Sequence, residues 1–170
     1  MKAAGKLVAV DDYTPAMDAW ARTDHRGYVG AVVRELAAVG IASAGTVDVL
    51  PGAAGRAMGV RLGYETYGDN DFFEDSVDVV VEWDEERGWT LHDTHELGAL
   101  RGYGHGRYGL GLGVVPEPAA VARHIKAMFE VDGLYDDGNP RRRAIDHDPL
   151  LEAALARHLA DGVTDPRGSV

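Results

Sequence analysis

The residues with the clearest chemical potential are three histidines gathered near the middle of the chain. His92, His95 and His105 fall within fourteen residues, and Asp93 and Glu96 stand among them. Imidazole and carboxylate groups bind divalent metals and transfer protons near neutral pH. The segment therefore predicts an acid–base site or a metal site, provided that the fold brings these groups together.

Strand geometry limits which of these groups can act together. If residues 89–96 continue as a strand, side chains alternate between its two faces, so that Asp93 and His95 share one face about 6–7 Å apart. That face is also the face of Trp89, which we expect to point inward. Asp93 and His95 are therefore the candidate general base or metal ligands, with His105 as a second proton carrier or a third ligand.

A simpler interpretation of the same segment stays open. His92 and Glu96 fall on the outer face of the strand, and the histidines can all be surface residues of a strand end and a loop. The acid–base alternative needs no cofactor, whereas the metal alternative needs a single divalent ion. We expect no other resident cofactor.

The glycine-rich stretch Gly104-His105-Gly106-Arg107-Tyr108-Gly109 has the spacing of a dinucleotide-binding loop. That function also requires a helix whose first turn receives the pyrophosphate. Residues 110–113 contain two further glycines and do not favour such a helix. A flexible loop or a bulged strand is the better interpretation.

Composition excludes several classes of function. The 170-residue chain has a net charge of −11 and no cysteine. The charge opposes binding to nucleic acid and to anionic membranes, and the missing cysteines exclude disulfides and thiolate metal sites. No apolar run approaches the roughly 18 residues of a membrane helix. We therefore predict a cytoplasmic protein.

Periodic apolar residues predict helices that begin near Asp24, at Pro116-Glu117-Pro118 and at Asp148-Pro149, and a shorter one after Thr14-Pro15. Gly40 is expected to end the first of these in a left-handed conformation. The last helix carries an apolar side that we expect to dock on the core, formed by Leu150, Leu151, Ala154, Leu155 and Leu159.

Alternating apolar and polar residues predict strands over 41–50, 58–65, 77–83 and 89–91. A turn ending at Gly88 joins the last two, so that Trp83 and Trp89 should be buried neighbours on one face. The sequence thus predicts an α+β fold. In it, an antiparallel sheet of three to five strands is covered on one face by helices and followed by a C-terminal helix.

These elements divide the chain into three parts. We predict an N-terminal segment over 1–23, an α+β core domain over 24–132, and a loop with the C-terminal helix, packed on the core, over 133–170.

Three motifs occur in order: Arg26-Gly27-Tyr28-Val29-Gly30-Ala31-Val32, Trp83-Asp84-Glu85-Glu86-Arg87-Gly88-Trp89, and Val115-Pro116-Glu117-Pro118-Ala119-Ala120-Val121-Ala122-Arg123. Together they resemble a family of small actinobacterial domains of unknown function, over roughly residues 25–130. The resemblance implies no activity. The histidine-rich segment departs from the family pattern, which is apolar or nondescript there.

Two functions remain open from the sequence. The preferred one is a non-catalytic binding or regulatory module for a protein or a small ligand, and the alternative is a small enzyme with its acid–base or single-metal site in 92–109. The oligomeric state is open, a homodimer included. The side chains that we expect to contact a ligand are aromatic: Trp83, Trp89, Tyr64 and Tyr103.

Overall fold

The fold is α+β, with an antiparallel five-stranded sheet in the order β1-β2-β3-β4-β5. It is known from a computed structural model. The residues described are 22–47, 55–69, 73, 76–95, 105–130, 138 and 148–159, with the backbone alone at 77, 94, 95, 105 and 106. The predicted fold class is confirmed. The division of the chain into three parts stays a prediction.

Each strand pairs with the next along the chain. The strands are β1 (Ser43–Val47), β2 (Ala57–Leu62), β3 (Ser76–Asp84), β4 (Gly88–His95) and β5 (His105–Gly109). The glycine-rich stretch expected as a loop or bulged strand thus contains β5, which pairs with β4 in unbroken register.

The described helices are α1 (Arg26–Ala38), α2 (Tyr64–Tyr67), α3 (Pro118–Glu130) and α4 (Pro149–Ala156). Gly40 adopts φ 88° after α1, as predicted. Asp148 caps α4 by accepting the backbone N–H groups of Leu150 and Leu151. The residue preceding α1 is His25 rather than Asp24, and Asp24 accepts the N–H of Arg26 from one position further back.

The core lies between one face of the sheet, called here the inner face, and helices α1, α3 and α4. Val79 and Val81 of β3 and Leu91 of β4 are fully buried on that face. They pack with the apolar stripes of the helices, for example Val32 and Ile125. Burying each such side chain contributes about 1.5–3 kcal/mol relative to leaving it exposed.

The two tryptophans of the hairpin occupy the centre of this core. Trp83 and Trp89 are paired directly across β3 and β4, and both are fully buried. Trp89 Nε1 donates to Tyr28 Oη at 2.9 Å, and Tyr28 Oη donates to the carbonyl of Pro116 at 2.9 Å. Trp83 Nε1 donates to the carbonyl of Val114 at 2.7 Å. Hydrogen bonds thus join the three sequence motifs to one another.

Gly88 allows the segment before α3 to pass against the hairpin. Its φ is 77°, and a Cβ placed there would lie 2.2 Å from the carbonyl oxygen of Gly113. Any side chain at this position would therefore clash with the backbone as well as strain its own.

Two salt bridges made by Arg56 hold helix α4 against the hairpin turn. This guanidinium contacts Glu152 of α4 at 2.6 Å and the buried Glu85 of the hairpin turn at 2.8 Å. Burial acts to raise the pKa of Glu152, but hydrogen bonds from Arg56 and Thr23 outweigh it and lower the pKa to about 2. The carboxylate therefore stays charged and holds α4 in place well into the acid range.

Two details of the sequence prediction are wrong. Tyr64 was placed in a strand, but β2 ends at Leu62 and Tyr64 begins α2. On α4, Leu151 and Leu155 are buried as expected, whereas Leu150 and Leu159 are 81% and 54% exposed. The helix is too short for one side to bury all of these leucines. The predicted helix after Thr14-Pro15 lies outside the described residues.

The Tyr28 hydroxyl gives the first testable prediction. Tyr28→Phe leaves the Trp89 indole N–H and the Pro116 carbonyl without their shared partner, which should lower the free energy of unfolding by about 1–3 kcal/mol. Tyr64→Phe is the matched control, because Tyr64 is 66% exposed and the change there should stay within about 0.5 kcal/mol. Urea denaturation followed by tryptophan fluorescence measures both. Equal changes in the free energy of unfolding in the two variants would show that the buried Tyr28 hydroxyl contributes no more to stability than the exposed Tyr64 hydroxyl.

Candidate functional site

The catalytic candidates predicted from the sequence lie near one end of β4 and β5. Asp93 is buried on the inner face, with 1% of its surface exposed. The register pairs His95 with Ser76, and His105 with Thr94. Asp93 and His95 thus occupy alternate positions of β4. His105 pairs with Thr94, the position between them.

Only the backbone of His95 and His105 is described, and Tyr103 lies outside the described residues. The catalytic and metal-binding roles of Asp93, His95 and His105 therefore stay predictions. Among the side chains that are described, no three His, Asp or Glu residues are placed to hold a metal ion.

The other predicted aromatic ligand residues lie in two separate places. Trp83 and Trp89 are enclosed by the core, and Trp83 pairs with Met58 at the start of β2. Tyr64 follows the opposite end of β2 and packs edge-on against Tyr67, with ring centroids 5.5 Å apart. The structure does not bring Tyr64 to the tryptophans, and a ligand-binding role for any of them stays a prediction.

A group of polar side chains that the sequence reasoning missed lies on the other face of the sheet. Six side chains contact one another across β3, the hairpin turn, β4 and β5. We call them the outer-face network: Glu82, Asp84, Arg87, Thr90, His92 and Arg107.

Two guanidinium groups converge on two carboxylates at the centre of this network. Arg107 Nη2 lies 2.7 Å from Glu82 Oε1 and 3.9 Å from Asp84 Oδ2. Arg87 Nε lies 2.7 Å from the same Asp84 Oδ2, and its Nη2 is 3.9 Å from the same Glu82 Oε1. Each arginine therefore contacts both carboxylates.

Local structure positions both arginines. Asp84 Oδ1 accepts the backbone N–H groups of Glu86 and Arg87, at 2.9 and 2.8 Å, which shapes the turn that carries Arg87. Arg107 pairs with His92 of β4, and its side chain extends to Glu82 of β3. The side chain of Arg107 on β5 thus contacts Glu82 two strands away, on β3.

The acidic side chains of the network are more deeply buried than the basic ones. The side chains of Glu82 and Asp84 are 7% and 2% exposed. Those of Arg107, Arg87 and His92 are 37%, 27% and 18% exposed. The carboxylates therefore form the floor of the network, and the basic groups form its accessible surface.

Burial raises the pKa of Glu82, and the charge of Asp84 adds to this effect. Arg107 and Arg87 act in the opposite direction, but the pKa remains above its ordinary value of 4.5. Burial likewise lowers the pKa of Arg107. Ionised Glu82 is therefore less stable in the folded protein than in the unfolded chain.

His92 joins the network through one ring nitrogen. Its Nε2 lies 3.0 Å from Thr90 Oγ1 and 3.5 Å from Glu82 Oε2. These two contacts hold the imidazole beside Thr90 and Glu82.

The sequence contained one signal of this network. Glu82 and Asp84 flank Trp83, so burial of the tryptophan on one face must place both carboxylates on the other. Only the register shows that Arg87, Arg107 and His92 lie over the same carboxylates.

Fold and network together define a small α+β domain with an arginine–carboxylate surface on the sheet face that none of the described helices covers. The Family of unknown function (DUF6292) matches residues 28–127, which is more than half of the chain, and the chain belongs to this family. The resemblance to a family of unknown function is thus confirmed. Neither a curated protein nor a solved structure matches the chain.

None of the helices in the described ranges combines the length and the apolar character that crossing a membrane requires.

The second prediction concerns the ionisation of Glu82. Its side-chain ¹³C resonance should titrate with a pKa above 4.5, and Arg107→Gln should raise that pKa further by removing a cation that lowers it. Arg123→Gln, on the exposed side of α3, is the matched control and should leave it unchanged. Because the folded-state pKa is raised, ionisation of Glu82 should reduce stability as the pH rises through 4.5. A titration at or below the ordinary value would contradict this account.

Proposed function

We propose that the protein is a non-catalytic binding module for a protein or a small ligand, and that the outer-face network is its binding surface. The observation that carries the proposal is the pair of buried carboxylates, Glu82 and Asp84, lying beneath partly exposed arginines on a sheet face that no described helix covers.

Energetics support a functional interpretation of this network. Removing charges from water costs several kcal/mol per ion, and buried ion pairs often stabilise a fold less than apolar residues of similar size would. Glu82 illustrates this cost, because its raised pKa shows that the folded environment disfavours its charge. Perturbed ionisable groups of this kind are concentrated at functional sites.

Geometry favours binding over catalysis. The guanidinium groups are fixed by carboxylates instead of being poised to transfer protons. Arginine remains protonated at any physiological pH. Such a surface presents oriented hydrogen-bond donors, which suits recognition.

The alternative remains a small cofactor-free or single-metal enzyme using Asp93, His95 and His105. Its support is the buried carboxyl group of Asp93, two residues from His95 on one strand. A working site there would respond to His95→Ala and not to changes in the outer-face network.

The proposal also covers the cellular location, the source and the partners of the protein. We place it in the cytoplasm of an actinobacterium, without nucleic-acid or membrane partners. The net charge of −11, the lack of cysteine, and arginine outnumbering lysine by fourteen to three support this.

A homodimer belongs to the same proposal. The edge strand β1 has no charged residue and no proline, the features that usually block edge pairing. Antiparallel pairing of two copies would place both outer faces on one side, with the two β3 strands about 24 Å apart at strand spacings near 4.8 Å. Sedimentation equilibrium measures this assembly.

The third prediction tests the binding surface without assuming a ligand. A chemically diverse fragment set should shift the backbone amide resonances of Glu82, His92 and Arg107 more often than those of α3, because binding sites collect fragment contacts. Arg107→Gln should remove most of these shifts, and Arg123→Gln should not. Fragments that map instead to Asp93 and its neighbours would favour the enzyme, and the absence of any hits on the outer face would overturn the proposal.

A further inference from the structure

The accessible part of the outer-face network is basic, although the whole chain is strongly acidic. Around Glu82, the partly exposed side chains are those of Arg107, Arg87 and His92. In a protein with a net charge of −11, a surface of this kind is a local exception. Its complement is an anionic group.

Both arginines retain hydrogen-bond donors for such a group. A guanidinium carries five N–H donors in a fixed plane. Within the described residues, Arg107 contacts the carboxylates through Nη2 alone. Arg87 contacts them through Nε and Nη2. The remaining N–H groups are oriented in advance by the carboxylates below them.

We propose that the outer-face network is a receptor for one carboxylate group, which accepts hydrogen bonds from Arg107 and Arg87 on the exposed side of Glu82 and Asp84. This inference rests on the proposed function, since it names the ligand chemistry for the same surface. The carboxylate belongs either to a small free acid or to an acidic peptide.

The charge balance of the network selects a carboxylate over a phosphate. Arg87 and Arg107 are matched by Glu82 and Asp84, so the four groups are neutral together when ionised. A carboxylate brings a single negative charge and fits the planar fork of a guanidinium. A phosphate monoester brings about −1.5 to −2 at neutral pH and would be repelled more strongly by the two carboxylates below.

Binding should be coupled to proton uptake by Glu82. The charged and titratable groups facing it are Asp84 on its own strand, Arg87 from the turn, His92 from β4 and Arg107 from β5. From β2 it faces a glycine, which brings no charge. An added negative charge further favours the neutral form of Glu82, so affinity should rise as the pH falls.

Calorimetric titration of the full chain tests this inference. The probes are propionate and a short blocked peptide containing one glutamate, with propionamide and, near pH 7.5, inorganic phosphate as controls. We expect a carboxylate probe to bind about tenfold more tightly near pH 5.5 than near pH 7.5 and to take up protons on binding. Comparison of propionate with the peptide identifies the source of the carboxylate.

The decisive variant is Glu82→Gln. It removes the negative charge that competes with the ligand, so binding near pH 7.5 should become about tenfold tighter and lose most of its pH dependence. Arg107→Gln should weaken binding at least about tenfold, while Arg123→Gln should not. Arg107→Lys keeps the charge but loses the planar fork, and should also weaken binding if Arg107→Gln proves unstable.

Several outcomes would overturn the inference. They are equal binding of propionamide, equal binding of phosphate near pH 7.5, weaker binding by Glu82→Gln, or an affinity independent of pH. If fragments of other chemistry bind the outer face and carboxylates do not, the carboxylate assignment fails and the proposed function survives. If nothing binds there, both fail.

Discussion

The register of the β3–β4 hairpin pairs Trp83 with Trp89, and the character of both sheet faces follows from that pairing. A slip of one residue would move every side chain of a strand to the opposite face. It would bring Glu82 into the core and expose a tryptophan. The hydrogen bonds from the two indoles to Val114 and Tyr28 fix the register from outside the hairpin.

The same register therefore gives one pair of strands an apolar face that stabilises the fold and a charged face whose burial costs free energy. Apolar burial around the tryptophans stabilises the fold, whereas the charges of Glu82 and Asp84 lie in a setting where desolvation opposes ionisation. The family match spans the hairpin, β5 and most of α3, so it includes both faces. A binding role explains why a sheet would carry buried carboxylates that a simple scaffold does not need.

Sequence reasoning succeeded where local chemistry decides the outcome. Alternation predicted the strands around Trp83, and Gly88 predicted the hairpin, because both signals act over a few residues. The outer-face network was missed because it depends on cross-strand contacts between residues far apart in sequence, such as Glu82 and Arg107. Tyr64 was misplaced for a related reason, since the chain turns into α2 where alternation alone would continue the strand.

The central claim is that the outer-face network serves binding more than stability. It is tested most directly by the free energy of unfolding of the double variant Glu82→Leu/Arg107→Met, measured by urea denaturation. If the claim holds, replacing these two residues by apolar side chains leaves stability unchanged or raises it. A loss of more than about 2 kcal/mol, with the fold intact, would show that the pair is retained for stability and would contradict the account.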